Sequence, residues 1–151
     1  MKRIVALGTA AVLLVAGCSD SSKDDAAFKE VKSVLESSAN GDYAAVWEQL
    51  FPPIQQKVDA ALFAQCMADA APPPSEEGID VGLVATDAKT ATVVGEKVDV
   101  VAVTVSVKST PDGETENATG TYDVVKDGDN YFWTLKQDAI TSYEAGNCPE
   151  S

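Results

Sequence analysis

The side chains with chemical potential in this chain are three cysteines (Cys18, Cys66 and Cys148) and a large surplus of carboxylates, without a single histidine. The missing imidazole removes Ser–His and Cys–His nucleophile activation and every imidazole-ligated metal site. Serines such as Ser106 therefore have no neighbouring base to activate them. Two acidic runs, Asp112-Gly113-Glu114-Thr115-Glu116 and Asp127-Gly128-Asp129-Asn130, offer oxygen ligands of the kind calcium takes. Neither completes the twelve-position calcium loop and both fall where hairpin turns belong, so they read as turns. No metal and no cofactor is expected. Against 11 basic side chains stand 24 acidic ones, a formal charge of −13. A surface of that sign repels phosphate backbones, which excludes nucleic acid as a partner.

The N-terminus gives Cys18 a role of its own. Met1-Lys2-Arg3 is a basic start, and Ile4 to Gly17 is apolar and small. A bilayer-spanning helix needs about 20 apolar residues, so this stretch is too short for a permanent anchor and fits a secretory signal. Leu14-Val15-Ala16-Gly17-Cys18 resembles the bacterial lipobox: an aliphatic residue, two small ones and an obligatory cysteine. The resemblance implies lipid on the Cys18 thiol, cleavage between Gly17 and Cys18, and acylation of the new amino group by a fatty acid such as palmitate. The competing reading is an ordinary signal peptide with an incidental cysteine. Ser19 to Asp25 is polar and reads as a short tether. Two or more acyl chains hold a protein stably on a membrane, while the acidic body is pushed off an anionic surface. The expected division is a signal peptide over 1–17, a lipidated tether over 18–25 and one folded domain over 26–151, on the extracytoplasmic face of the cell membrane. In such a bacterial lipoprotein the sequon Asn117-Ala118-Thr119 carries little meaning.

With Cys18 assigned to lipid, Cys66 and Cys148 remain. In an oxidising exterior an isolated pair is most simply a disulfide, and closing so long a loop stabilises by about 4–5 kcal/mol at most in the chain-entropy picture. The bond would tie a helix end to a C-terminal tail, Gln137 to Ser151, that otherwise has little to hold it. The alternative is two free thiols, one of them buried. No CxxC motif is present, so nothing points to thiol–disulfide exchange.

The elements that must position these residues divide into two halves. From Asp24 to Ser38 the residues Phe28, Val31, Val34 and Leu35 form one apolar helical face, with Lys29, Glu30 and Lys32 outward. Asn40-Gly41 suits a C-cap, and Asp42 caps a second helix in which Tyr43, Val46, Trp47 and Leu50 recur at helical spacing. Pro52-Pro53 starts a new segment, Asp59 caps another helix with Leu62, Phe63, Cys66 and Met67 inward, and Pro72-Pro73-Pro74 closes the helical half. Strand signals follow at Ile79–Leu83 and Thr90–Val94, separated by a turn-like Asp87-Ala88-Lys89. Further strands are expected over Val98–Lys108, with Val101, Val103, Val105 and Val107 on one face, over Thr119–Lys126 and over Tyr131–Lys136. Helices first and an antiparallel meander afterwards define an α+β fold in which N-terminal helices pack on one face of a sheet.

Asn40-Gly41-Asp42-Tyr43-Ala44-Ala45-Val46-Trp47 leading into Leu50-Phe51-Pro52, together with the Lys126-Asp127-Gly128 turn before Phe132, Trp133 and Leu135, resembles the cystatin-like cone of the nuclear-transport-factor-like and SnoaL-like superfamily. In particular it resembles small secreted lipoproteins of this fold from Gram-positive bacteria, which carry a disulfide-closed C-terminal tail. The resemblance covers about residues 26–148. It implies a strongly curved antiparallel sheet wrapped around helices, with a concavity between them. The superfamily holds isomerases, dehydratases and polyketide cyclases alongside many binding modules without catalysis. Its enzymes commonly use an aspartate as general base inside the cone, which singles out Asp99 and Asp123, with Tyr43 or Tyr122 as an oxyanion donor. Neither aspartate sits in a recognisable motif, and each reads more simply as a solvent-facing strand residue. Tyr43, Trp47, Phe63, Tyr122 and Trp133 are the candidates to line an apolar pocket, although their spacing also suits ordinary core positions. The reading that results is a non-enzymatic, membrane-anchored lipoprotein that binds a protein partner or a small apolar ligand at the cell envelope. An isomerase- or cyclase-type enzyme using a cone carboxylate, or a structural accessory subunit of an envelope complex, are the alternatives.

Overall fold

A computed structural model describes residues 21–71, 77–110 and 113–150. The leader, Cys18, the Pro72-Pro73-Pro74 stop and Pro111-Asp112 lie outside them.

Helix α1 runs Ser21–Ala39, and its buried stripe is Ala27, Val31 and Val34, with Phe28 and Leu35 half-buried beside it. Gly41 takes a left-handed φ of +73°, which a side chain with a Cβ adopts only at a cost, and this turns the chain out of α1. The Asp42 carboxylate accepts from the Ala45 N–H at 3.1 Å and so starts α2, Tyr43–Glu48. Pro52 and Pro53 occupy the first turn of α3, Pro52–Gln55, where their missing N–H groups cost nothing. Asp59 accepts from the Leu62 N–H at 2.9 Å and caps α4, Ala60–Ala70, whose buried residues Phe63 and Cys66 lie one turn apart.

Four antiparallel strands follow as a meander in a curved, open sheet ordered β1-β2-β3-β4: β1 Ile79–Val93, β2 Glu96–Ser109, β3 Glu116–Asp127 and β4 Asn130–Trp133. Two expected strands prove to be one. Asp87, Ala88 and Lys89 do not turn; they pair with Ala102, Val101 and Val100. Their exposed positions on an outer strand tolerate the polar composition that reads as a loop. The irregularity lies earlier, where the register shifts between Leu83 and Ala85, leaving Val84 unpaired and 58% exposed. The hairpin turn is Val94-Gly95, both residues with positive φ, as the tight two-residue turn requires. A valine is an unusual choice there, and its side chain packs on the core.

Strand alternation puts Val101, Val103, Val105 and Val107 on one face of β2 and Val98, Val100 and Ala102 on the other. Both faces are buried in part. The first set joins Val81 and Val124 against Ala27 and Val31 of α1, which crosses all four strands. On the opposite face Val100 and Val125 belong to the larger cluster built from Leu50, Phe51, Ile54 and Phe63. Apolar cover is thus not confined to one sheet face. The chain reaches both faces because Gln49–Phe51 runs alongside β4: Trp133 N–H donates to the Gln49 carbonyl at 2.9 Å and Phe51 N–H donates to the Trp133 carbonyl at 2.8 Å.

After Trp133 the chain leaves the sheet earlier than the expected end at Lys136. The tail is not loose either. It forms α5, Gln137–Glu144, with Ile140 and Tyr143 buried one turn apart in the larger cluster.

Glu30, expected to face outward on α1, is half-buried, and burial raises its carboxyl from the ordinary 4.5 to about 6. The folded state therefore binds the proton more tightly than the unfolded chain. The stability this group allows is present below pH 4.5 and is lost as pH rises through about 6. Glu30→Gln should match the parent protein below that window and exceed its stability above it by at most about 1 kcal/mol, because the group is partly screened by solvent. Urea denaturation at several pH values between those limits and neutrality checks it.

Candidate functional site

The described residues form an open groove of about 1050 Å³. One wall is the edge of β3 at Gly120–Asp123, the floor includes Ala91 and Val93 of β1, and the far wall is α5 with the tail Asn147–Glu150. The groove exists because β4 is short. It pairs with β3 only over Val124–Asp127, and the last rung is a 3.2 Å bond from the Thr134 N–H to the Asp123 carbonyl. Beyond that rung the chain turns into α5, and among the described residues no strand pairs with the outer side of the rest of β3.

Of the aromatic candidates, Tyr122 and Trp133 line the groove. Tyr122 lies along its own strand over Gly120, where an added Cβ would come within 3.0 Å of the ring and its hydroxyl. The glycine is what lets the ring lie down. Trp133 is half-buried, with its ring edge-on to Phe63 at a centroid distance of 6.3 Å and 68° between planes. Phe63 is wholly buried beneath it and also touches Tyr143 at 5.7 Å. Burial pushes the Tyr143 phenol above its ordinary range. Trp47 is half-buried with its indole N–H donating to the Val58 carbonyl at 3.2 Å, a bond that holds α2 to the α3–α4 connection. Tyr43 is half-buried in the first turn of α2 and is not among the groove residues. The five aromatics are therefore divided: Trp133 and the Tyr122 stretch of β3 border the groove, with the Tyr122 ring packed toward the α1 cluster, Phe63 and Trp47 serve the packing of the helices, and Tyr43 stands apart on α2.

The two strand aspartates also separate. Asp99 is exposed on β2 opposite Thr90 and takes no part in the groove. Asp123 lies in it on the opposite face of β3 from the Tyr122 ring, with one carboxylate oxygen 2.9 Å from the Lys89 ammonium, which reaches across β2. Both partners remain substantially exposed. Among the described residues no group of three or more Cys, Asp or Glu converges as a metal site would require, and no polar residue is buried.

Cys66 and Cys148 form a disulfide with Cα atoms 5.4 Å apart and 82 positions between them. Cys66 is buried on α4, and Cys148 stands in the groove wall, so the bond fixes the tail to the helical half. The part played by α5 and the tail is missing from the sequence reading; its only signal is the spacing of Ile140 and Tyr143. No protein-family model, no curated protein and no solved structure matches the chain.

Replacing both cysteines by serine should cost about 2–5 kcal/mol in guanidinium denaturation. Because Ile140 and Tyr143 still dock α5, the loss of amide-exchange protection should be concentrated in Asn147–Glu150 rather than in the helix.

Proposed function

We propose that the chain is an exported lipoprotein, anchored at Cys18 on the extracytoplasmic face of the membrane, whose α+β domain is a cystatin-like cone serving as a non-enzymatic binding module. The observation that carries this reading is the Cys66–Cys148 bond, since a structural disulfide that fastens the tail to the helical half belongs to an oxidising compartment. The lipobox supplies the route there, and no helix among the described residues is long and apolar enough to cross a membrane. The resemblance to the cone fold draws support from α1 lying across a curved four-stranded meander.

Binding is favoured over catalysis by the state of the groove. Proton abstraction calls for a carboxylate withdrawn from water. Asp123, the one candidate base in the groove, is instead wet and ion-paired to Lys89. An open trough with mixed polar and apolar walls suits recognition of a partner better than enclosure of a small substrate.

Cys18→Ala should release the protein from membranes or leave an unprocessed precursor. Fractionation of the native host, followed by intact-mass measurement of the membrane-bound form, checks it. Unchanged membrane retention with normal processing would reject lipidation.

A further inference from the structure

We infer that the uncovered half of β3 takes up an extended, cationic peptide segment as an additional strand, laid between that edge and α5; this rests on the binding-module reading and names its site and partner class. The Asp123 carbonyl accepts from Thr134 on the outer side of β3. Alternation along a strand therefore turns the backbone N–H and C=O groups of Thr121, Thr119 and Asn117 to the same outer side. No strand pairs with them there among the described residues, whereas β2 pairs with the inner side from Glu116 to Val125. The row of donors and acceptors is exposed and continuous.

The two long edges of the sheet are treated differently. An outer strand left open is a template for foreign strands unless it is blunted by bulges or charged side chains, lysine above all. The outer strand β1 carries both devices, the irregularity at Val84 and Lys89. Between Asn117 and Tyr122, β3 carries neither a charge nor a proline nor a bulge. It also opens directly onto the groove at Gly120–Asp123, which gives the incoming strand a second wall and places for alternate side chains, as strand addition requires.

The charge of the occupant follows from the rim. Glu114 and Glu116 precede or begin the open edge, and Asp138 and Glu150 stand on the opposite wall. Of the two lysines at the groove, Lys89 is already tied to Asp123, which leaves Lys136 against Asp138 and Glu150 on the wall and two more carboxylates at the start of the open edge. With −13 on the whole chain, a basic segment is attracted and a second copy of this acidic chain is repelled.

The test uses the full-length protein in detergent micelles and an alternating Lys-Val peptide of about eight residues, long enough to cover the open half of β3. Titration by heteronuclear NMR should shift and protect the Thr119 and Thr121 amides. The same peptide N-methylated at its strand-pairing amides, or an alternating Glu-Val peptide, should bind at least about ten-fold more weakly. Thr119→Pro removes an outward N–H without touching the ladder to β2 and should weaken binding to a similar degree while leaving the thermal midpoint nearly unchanged. The N-methylated peptide keeps the test decisive should that variant fail to fold. Equal binding of the N-methylated peptide, protection of amides elsewhere, or no binding at all would overturn the inference. So would a Thr119-dependent homodimer in sedimentation, which would assign the edge to a second copy. None of these outcomes alters Cys18-dependent membrane retention, so a failure here is distinct from a failure of the anchoring proposal.

Discussion

The backbone of Trp133 is where the helical half of the molecule and the sheet become one body. Its N–H and C=O both bond to the Gln49–Phe51 segment, at 2.9 and 2.8 Å, and its ring stands on Phe63 of α4. These contacts add a short parallel rung outside β4 and bring the chain from the α1 side of the sheet to the other. Leu50 and Phe51 are both buried beside that rung, and Phe51 meets Phe132 at 6.2 Å. β4 ends at this junction: beyond Trp133 only the Thr134 N–H still bonds to β3, and the chain then turns into α5. The groove and the open edge are consequences of that early exit.

Much of this architecture is legible in the sequence wherever the signal is local. Asp42 and Asp59 cap helices because a short carboxylate can reach an N–H three residues on, and no distant contact is needed to make it do so. Gly41 and the paired prolines punctuate the chain for equally local reasons. The run of alternate valines in β2 records a strand with core on both sides once its two registers are read separately, Val101–Val107 for α1 and Val98–Val100 for the helical cluster. The cysteine pair is legible because only two candidates remain after Cys18.

The parts that are not legible depend on contacts far along the chain. Asp87-Ala88-Lys89 has the composition of a turn, yet β2 imposes a strand on it, and exposure removes the penalty for its polar side chains. The real turn hides behind Val94, a β-branched residue that local preference would never place at a φ of +52°; its contact with the core offsets the strain. Helix α5 has only two buried residues, too few for a periodic pattern to stand out from a polar tail. The site suffers most from this, because one of its walls is that unrecognised helix and another is the absence of a strand. Asp123 and Tyr122 could be named as candidates from their positions on a strand, but the pairing of Asp123 with Lys89 across an intervening strand is a property of register alone.

An unpaired strand edge beside an apolar-floored trough is ordinarily a hazard, since it invites copies of the same chain to pair with one another. The composition of this chain bears on that hazard directly. At −13, each copy approaches another against a repulsion that salt weakens but does not abolish at contact distances, and the carboxylates at the ends of the β3 edge sharpen it locally. The disulfide acts in the same direction by holding Cys148 and its neighbours in place as the opposite wall of the trough, which limits the room for a second copy of the sheet beside the open edge. Acidity and covalent tethering therefore perform the protective work that a lysine or a bulge performs on β1. They do so without closing the edge to a segment of the opposite charge.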